Sequence, residues 1–470
     1  MTSCRFFENF ATQKNGLRSI LEKLLLCLIM CMPCASWAQQ SAQPSDQASD
    51  SGAPGILSYL DPWQIYGQFT NVSQLHQHFH AAYSGDNSMR PDEGVRETTD
   101  ATLFAGRRLD PNTELWINAE IDQGFGLSDT LGAAGFPSGE AYKIGAHRPY
   151  VRIPRAFIRH VIPLGGDQQD VESAPNQLGG KTAANNVTVT VGKFSVVDIF
   201  DNNSYAHDPR ADFLNWAVID AGAFDYAADP WGYTFGAAVE WTRDWWTLRG
   251  GAFLLSEEPN AKLTGFHPRE HMFVTEFEGR YQWQGHPGKA KLLAFVNQAD
   301  MGNYADAVRV AQLTGGIPDV AGVRHYQSRT GVALNLEQEL ASDLGAFVRA
   351  SANDGSKEAY EFTEINRSLS AGLSLKGRAW GRSDDSLGVA AVVNGLSSDA
   401  RAYFAAGGLG ILIGDGALDY GPEKILESYY SWHVNTHVSL SVDVQHIRNP
   451  AYNRDRGPIN IAGFRLHAQF

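Results

Sequence analysis

The last nine residues of the chain, 462–470, alternate without a break. Ala462, Phe464, Leu466, Ala468 and Phe470 are apolar, while Gly463, Arg465, His467 and Gln469 are small or polar. A period of two over this length predicts a strand with one apolar and one wet face. Ending such a strand on an aromatic carboxylate fits the closing strand of an outer-membrane barrel, whose outer face meets lipid. The same alternation marks fifteen earlier segments: 63–71, 98–107, 113–122, 151–162, 186–196, 231–242, 245–255, 271–283, 289–300, 329–340, 343–352, 368–378, 386–395, 423–432 and 436–448. In 113–122, Leu115, Ile117, Ala119 and Ile121 oppose Trp116, Asn118, Glu120 and Asp122; in 436–448, Val438, Leu440, Val442 and Val444 oppose Ser439, Ser441, Asp443 and Gln445. A polar face that carries charge suits a wet lumen better than a packed sandwich core. The predicted fold is all-β: a transmembrane antiparallel β-barrel of about sixteen strands over residues 63–470. Its long extracellular loops partly fold into the lumen.

Connection lengths agree. If the chain ends in the periplasm, connections after even-numbered strands are periplasmic turns, and most are short: 109–112, 243–244, 284–288, 341–342, 379–385 and 433–435. Connections after odd-numbered strands are long. Residues 163–185 break the rule, being long on the periplasmic side. This implies an extended loop, a missed strand pair or a misplaced fourth strand, where Pro154 cannot donate to a ladder.

Residues 1–38 read as a cleavable signal peptide. Arg5, Lys14, Arg18 and Lys23 precede an apolar run at 24–32, and Ser36-Trp37-Ala38 is a small-x-small cleavage site. Met30 and Pro33 before Cys31 and Cys34 argue against a lipoprotein anchor. Residues 39–62 are rich in Gln, Ser, Asp and Pro and read as a disordered lead-in. All four cysteines lie in the signal segment, so the exported chain carries no disulfide or thiolate chemistry. Of 38 basic and 52 acidic residues, four and two lie in residues 1–38, leaving a net charge of −16 on the remainder. Such acidity disfavours nucleic acid as a partner. No run of 18 apolar residues occurs, which excludes a helical membrane protein.

Several stretches resemble the carbohydrate-selective porin family of Gram-negative outer membranes. They are Ile121-Asp122-Gln123-Gly124-Phe125-Gly126, the run from Gly135 to Lys143, Gly192-Lys193-Phe194-Ser195-Val196-Val197-Asp198, Tyr205-Ala206-His207-Asp208-Pro209-Arg210, Phe224-Asp225-Tyr226-Ala227-Ala228-Asp229, and 449–458 near the end. The likeness runs from about Trp63 to Phe470. It implies a sixteen-stranded channel in the cell outer membrane that admits glucose and other small sugars.

A sugar channel needs a narrowing whose groups replace water around hydroxyls, with aromatic faces for the apolar side of the ring. Parity places Trp116, Glu120 and Asp122 in the lumen, and Arg155 and Arg159 with Phe157 between them. Lys193 falls on the outer face unless a bulge near Gly192 shifts it. These charges line a constriction, or simply wet a wide pore and brace its wall. Loop 197–230 interleaves aspartates, including Asp198 and Asp225, with aromatics such as Trp216, which suits a loop packed inside the barrel; a cap over neighbouring loops is the alternative. Loop 123–150, with Phe125, Phe136, Tyr142 and Lys143, could fold in similarly. His76, His78 and His80 at period two fit scattered rim histidines better than a metal site. No catalytic or cofactor motif occurs. The function expected is passive uptake of small sugars through a constricted polar and aromatic pore. The alternatives are a porin of other selectivity, an adhesin or receptor barrel with little conductance, and a barrel enzyme. Expected partners are small sugars, outer-membrane lipid and lipopolysaccharide, and the outer-membrane assembly machinery through the strand ending at Phe470. A homo-oligomer stays open, because no subunit contact is legible.

Overall fold

The computed structural model describes residues 63–141 and 145–470. The signal-peptide and lead-in expectations, and Tyr142 and Lys143, lie outside the described residues. Sixteen antiparallel strands form one closed barrel, each bonded to its sequence neighbours, with the first bonded to the last. They are β1 Gln64–His76, β2 Arg96–Asp110, β3 Thr113–Gly124, β4 Ala146–Val171, β5 Gly180–Phe194, β6 Thr234–Arg243, β7 Trp246–Leu254, β8 His271–Trp283, β9 His286–Met301, β10 His325–Ala341, β11 Leu344–Asn353, β12 Arg367–Gly377, β13 Arg382–Gly395, β14 Glu423–His433, β15 Val438–Arg448 and β16 Ile459–Gln469. Closure removes the free strand edges of the barrel wall, so its ladder groups find partners without water.

The alternation read from the sequence is the in–out alternation of the wall. Ile117, Ile121, Val389, Val393, Val442 and Val444 stand exposed on the outside; Asn118, Glu120, Asp122, Ser441 and Asp443 are buried inside. Trp63, Trp241, Trp245, Trp283, Trp380 and Trp432 are exposed at the terminal end of the barrel, where β1 begins and β16 ends. Arginines stack on three of them: Arg107 on Trp63, Arg243 on Trp241 and Arg382 on Trp432.

The anomalous segment 163–185 is not a loop. β4 and β5 continue through it as a hairpin that projects past the barrel, paired to Val171↔Gly180, with register shifts around Gly165. Its tip, 172–179, folds back to the terminal end. There Ser173 Oγ donates to Gln64 (2.7 Å) and the Leu178 amide to Glu114 (2.9 Å). The sequence concealed this because the projecting strands face water on both sides and have no apolar period to display.

The lumen is filled from the loop end. Residues 195–233, between β5 and β6, cross to the far wall, and lumen-facing side chains hold their backbone. Glu276 of β8 accepts the Asp201 amide (2.8 Å), and Glu427 of β14 accepts the Leu214 amide (2.5 Å). Arg349 of β11 donates to the Val218 carbonyl (2.8 Å), and Arg465 of β16 to the carbonyls of Pro209 (2.6 Å) and Asp212 (2.9 Å). Phe200, Phe213, Val218, Ile219 and Phe224 are buried between loop and wall, each worth about 1.5–3 kcal/mol of apolar burial. The β3–β4 loop folds in beside it. Its Ala134 and Gly135 amides donate to Glu423 (3.0 and 2.7 Å), and its Phe136 carbonyl accepts the Trp216 amide (3.1 Å).

Candidate functional site

With the far wall covered, two cavities lie against β2 to β6. The one toward the loop end holds about 230 Å³. The one toward the terminal end holds about 650 Å³. Asp198 and His207 are the lining residues common to both, so the narrowing lies between them.

Asp198 is placed by a single 3-10 turn, Val196–Asp198, directly after β5. Ser195 caps the turn, and its amide donates to Asp198 Oδ2 (3.0 Å). From there the carboxylate meets Arg155 of β4 in a bidentate pair, Nη2 to Oδ1 at 2.6 Å and Nε to Oδ2 at 2.8 Å. Burial alone would raise the Asp198 pKa. The Arg155 charge and hydrogen bonds override it and hold the group below the ordinary 3.8.

Arg155 also lies over the Tyr233 ring, 4.9 Å from its centroid, and Arg152 stands over the same ring at 5.0 Å. Arg152 pairs with Glu120 and Asp122 on the neighbouring strand. Strict parity from Arg155 would turn Arg152 outward. A register shift between Asn118 and Glu120 of β3 brings it in, across Ile153-Pro154 of β4. A proline that cannot donate to a ladder was the available signal for that bulge.

Arg210 completes the basic set. Its guanidinium lies 3.3 Å from Asp100, 3.6 Å from Glu120 and 3.5 Å from Glu140. Burial lifts Glu140 above the ordinary 4.5, against the pull of Arg210. Burial would also raise Asp208, but Arg210 holds it low. His207 lies 3.7 Å from Asp220. Burial would lower its pKa, and the Asp220 carboxylate raises it instead. The aromatic lining of the loop-side cavity comes from Phe136, Trp216, Tyr226, Trp231, Tyr233 and Phe362. Trp216 stacks on Phe136 at 5.1 Å and meets Phe362 at 4.7 Å.

The ten candidate residues therefore separate by position. Arg155, Asp198 and Trp216 surround the loop-side cavity. Phe157 and Arg159 line the other. Glu120 and Asp122 are buried beneath the arginines and hold them in place. Three lie elsewhere. Trp116 packs its ring on Tyr66 at 6.2 Å in the wall. Lys193 keeps outer parity, opposite exposed Phe235, because the ladder runs through Gly192 without a shift. Its ammonium reaches Asp229 at 3.5 Å, and Asp229 in turn accepts the Trp231 and Tyr233 amides, so Lys193 braces the turn that presents those rings. Asp225 anchors the long loop, pairing with Arg329 and accepting the amides of Tyr360 (2.9 Å) and Glu361 (3.0 Å). Arg152 escaped the sequence reading, and Arg210, Glu140 and His207, although inside stretches that carry the family resemblance, were not singled out there as site residues. The first is hidden by a bulge, and the others lie on irregular backbone where periodicity carries no information.

His76, His78 and His80 do not converge. The His76 ring packs on Phe79, and His78 bonds Asp92 at 2.9 Å. Among the described residues no group of three His, Cys, Asp or Glu side chains is placed to hold a metal ion.

The high-pH structure of Pseudomonas putida OprB is similar in fold, with a TM-score of 0.66 at 16% identity over 88% of this chain and 96% of that one. The low-pH structure of the same protein scores 0.47 at 12% identity, covering 88% and 95%. The outer membrane channel DcaP of Acinetobacter baumannii scores 0.49 at 11%, covering 87% and 97%. No curated protein sequence matches. The family model for carbohydrate-selective porins, OprB family, matches residues 86–470. The chain belongs to that family and forms an outer-membrane channel.

Proposed function

We propose that the channel carries small neutral carbohydrates, glucose among them, by passive diffusion, with the termini in the periplasm and the apolar outer belt in lipid. The observation that carries this reading is the pairing at the narrowing. Arg155 and Asp198 form a matched donor–acceptor pair in a cavity whose aromatic lining includes Tyr233 and Trp216. A sugar hydroxyl both donates and accepts, and a pyranose has one apolar face, so such a site serves it while leaving little net charge to attract ions. Three arginines near one passage could instead suit an organic acid. That reading is weaker here, because Arg152, Arg155 and Arg210 each meet carboxylates within the wall or loops.

The test is single-channel current in a planar bilayer while glucose, then maltose, is titrated. Saturable block by millimolar sugar is expected. Arg155→Ala should raise conductance and weaken block about tenfold, the loss of one charge-assisted hydrogen bond. Unblocked ohmic current in the wild type would leave a porin of other selectivity, and absence of current would favour a receptor barrel.

A further inference from the structure

The outside of the barrel carries, at its loop end, a group of cations that line neither cavity. Lys424 of β14 and Arg448 of β15 stand directly opposite each other. Both point outward, since Glu423, Ile425 and Ile447 beside them are buried on the inner face. Like charges opposite one another in a ladder repel, their Cβ atoms being about 5 Å apart. Arg367 of β12 also points outward, two strands away, opposite Gly395 of β13. The space outside that glycine is taken by Tyr420, whose hydroxyl lies 3.4 Å from where a Cβ would stand. Arg401, on the short helix Ser398–Ala405, lies over the Tyr420 ring at 3.7 Å. It is fixed by bonds to the Tyr420 hydroxyl (3.0 Å) and the Leu396 carbonyl (2.9 Å). Four cations thus crown four adjacent strands, β12 to β15.

Other cations at the loop end have acids. Arg269 meets Asp300 (2.9 Å), Arg309 meets Asp306 (2.6 Å), Arg324 meets Glu358 (2.8 Å) and Arg454 meets Asp419 (3.7 Å). Among the described residues no carboxylate pairs with Arg367, Arg401, Lys424 or Arg448, in a chain whose acids outnumber its bases 52 to 38. Below the four, the same outward faces turn apolar, with Leu369, Val393, Leu426 and Val444 all exposed. That step from cation to apolar side chain places the cluster where the membrane head groups begin.

We propose that this sector of the rim binds the phosphates of an outer-leaflet glycolipid whose acyl chains lie on the apolar wall below. Lys424 and Arg448 together hold one phosphate, and Arg367 and Arg401 hold a second. The repulsion across the ladder then becomes attraction to a shared anion. With strands about 4.8 Å apart, the two positions stand about 10 Å from each other, so the head group that fits carries two separated phosphates. The proposal takes from the function proposed above only that the loop end faces outward, and nothing from the sugar reading.

Native mass spectrometry of the full-length channel in neutral detergent, with bisphosphorylated lipid A titrated in, tests it. The wild type should bind this lipid about tenfold more tightly than lipid A with one phosphate or phosphatidylglycerol. Millimolar inorganic phosphate should not displace it. Lys424→Gln combined with Arg448→Gln should weaken binding about thirtyfold, while conductance stays at the wild-type value. Arg309→Gln combined with Arg454→Gln removes as much charge from cations that already have acids, and should leave binding unchanged. Equal weakening by both double variants would overturn the site and leave only diffuse attraction, and wild-type affinity in the first would overturn it too. Phosphatidylglycerol bound as tightly as the glycolipid overturns the bisphosphate assignment, and displacement by inorganic phosphate overturns a lipid as the occupant. Orientation is tested separately. Ala417→Cys, in the exposed loop between β13 and β14 of a chain whose native cysteines all lie within residues 1–38, should react on whole cells with a membrane-impermeant maleimide. Absence of labelling would put this rim at the other leaflet and overturn the outer-leaflet assignment, whatever the lipid titrations give.

Discussion

At the scale of single residues, the site is a set of acids that position arginines, and the acids differ in how they hold protons. Asp198 is held below 3.8 by Arg155, although burial opposes this. Glu140 is lifted above 4.5 by burial. A depressed carboxylate keeps its charge, and the contribution of its ion pair, until the pH falls through its lowered value; a raised one takes up its proton early. Acidification from pH 7 should therefore neutralise Glu140 before Asp198, leaving Arg210 with less compensation. Reversal potential in a salt gradient should then shift toward anions at a pH above 4.5, while the sugar-block constant holds until the pH drops below 3.8. Block that weakens in step with the reversal potential would place the binding contribution on Glu140 rather than on the Arg155–Asp198 pair. Little of this was legible in the sequence. Parity put Glu120, Asp122, Arg155, Phe157 and Arg159 inside, because a strand has only two faces. It could not tell which of them meets open space and which merely holds a neighbour. That depends on Arg210 and Asp198, which reach the wall from a loop.

At the scale of elements, the barrel strands were readable because the lipid and the lumen impose opposite demands on alternate residues. The path of loop 197–230 was readable only in outline. Its aromatics announced burial, but its anchors are single carboxylates and arginines scattered over strands from 75 to 256 residues away. Asp225 shows the difference. Read as a lumen acid, it is instead a clasp, joining the loop to Arg329 of β10 and to the amides of Tyr360 and Glu361. Arg329 has no exposed side-chain surface, so Asp225→Ala would strand a buried charge. Removing one partner of such a pair costs about 3–5 kcal/mol. The expected result is a clear drop in the denaturant midpoint of the micelle-bound protein, with noisier open-channel current as the loop loosens. An unchanged midpoint would mean that the hydrogen bonds elsewhere along the loop hold it without this clasp.

For the whole molecule, barrel closure depends on the joint between β1 and β16, the one strand pairing that does not join sequence neighbours. The ladder there runs from Gln68↔Gln469 to His76↔Ile461. It is finished by a reciprocal pair of backbone bonds, Gly67 N–H to Phe470 O at 2.8 Å and Phe470 N–H to Gly67 O at 2.9 Å. The Phe470 ring contributes differently. It lies over Gly67, where a Cβ would approach within 2.3 Å of it, and it is 64% exposed on the outside. Backbone closure and side-chain exposure can thus be separated by mutation. Phe470→Ala keeps both backbone bonds, so the thermal midpoint of the refolded protein in micelles should move by no more than a few degrees, as expected for an exposed side chain. If the assembly machinery reads the terminal aromatic ring, the amount of this variant reaching the outer membrane of cells should nonetheless fall severalfold. Yield equal to wild type would show that the ring is not read. Yield and midpoint falling together would instead make the ring part of the closure itself, packing over Gly67 to keep water from the last bonds of the barrel.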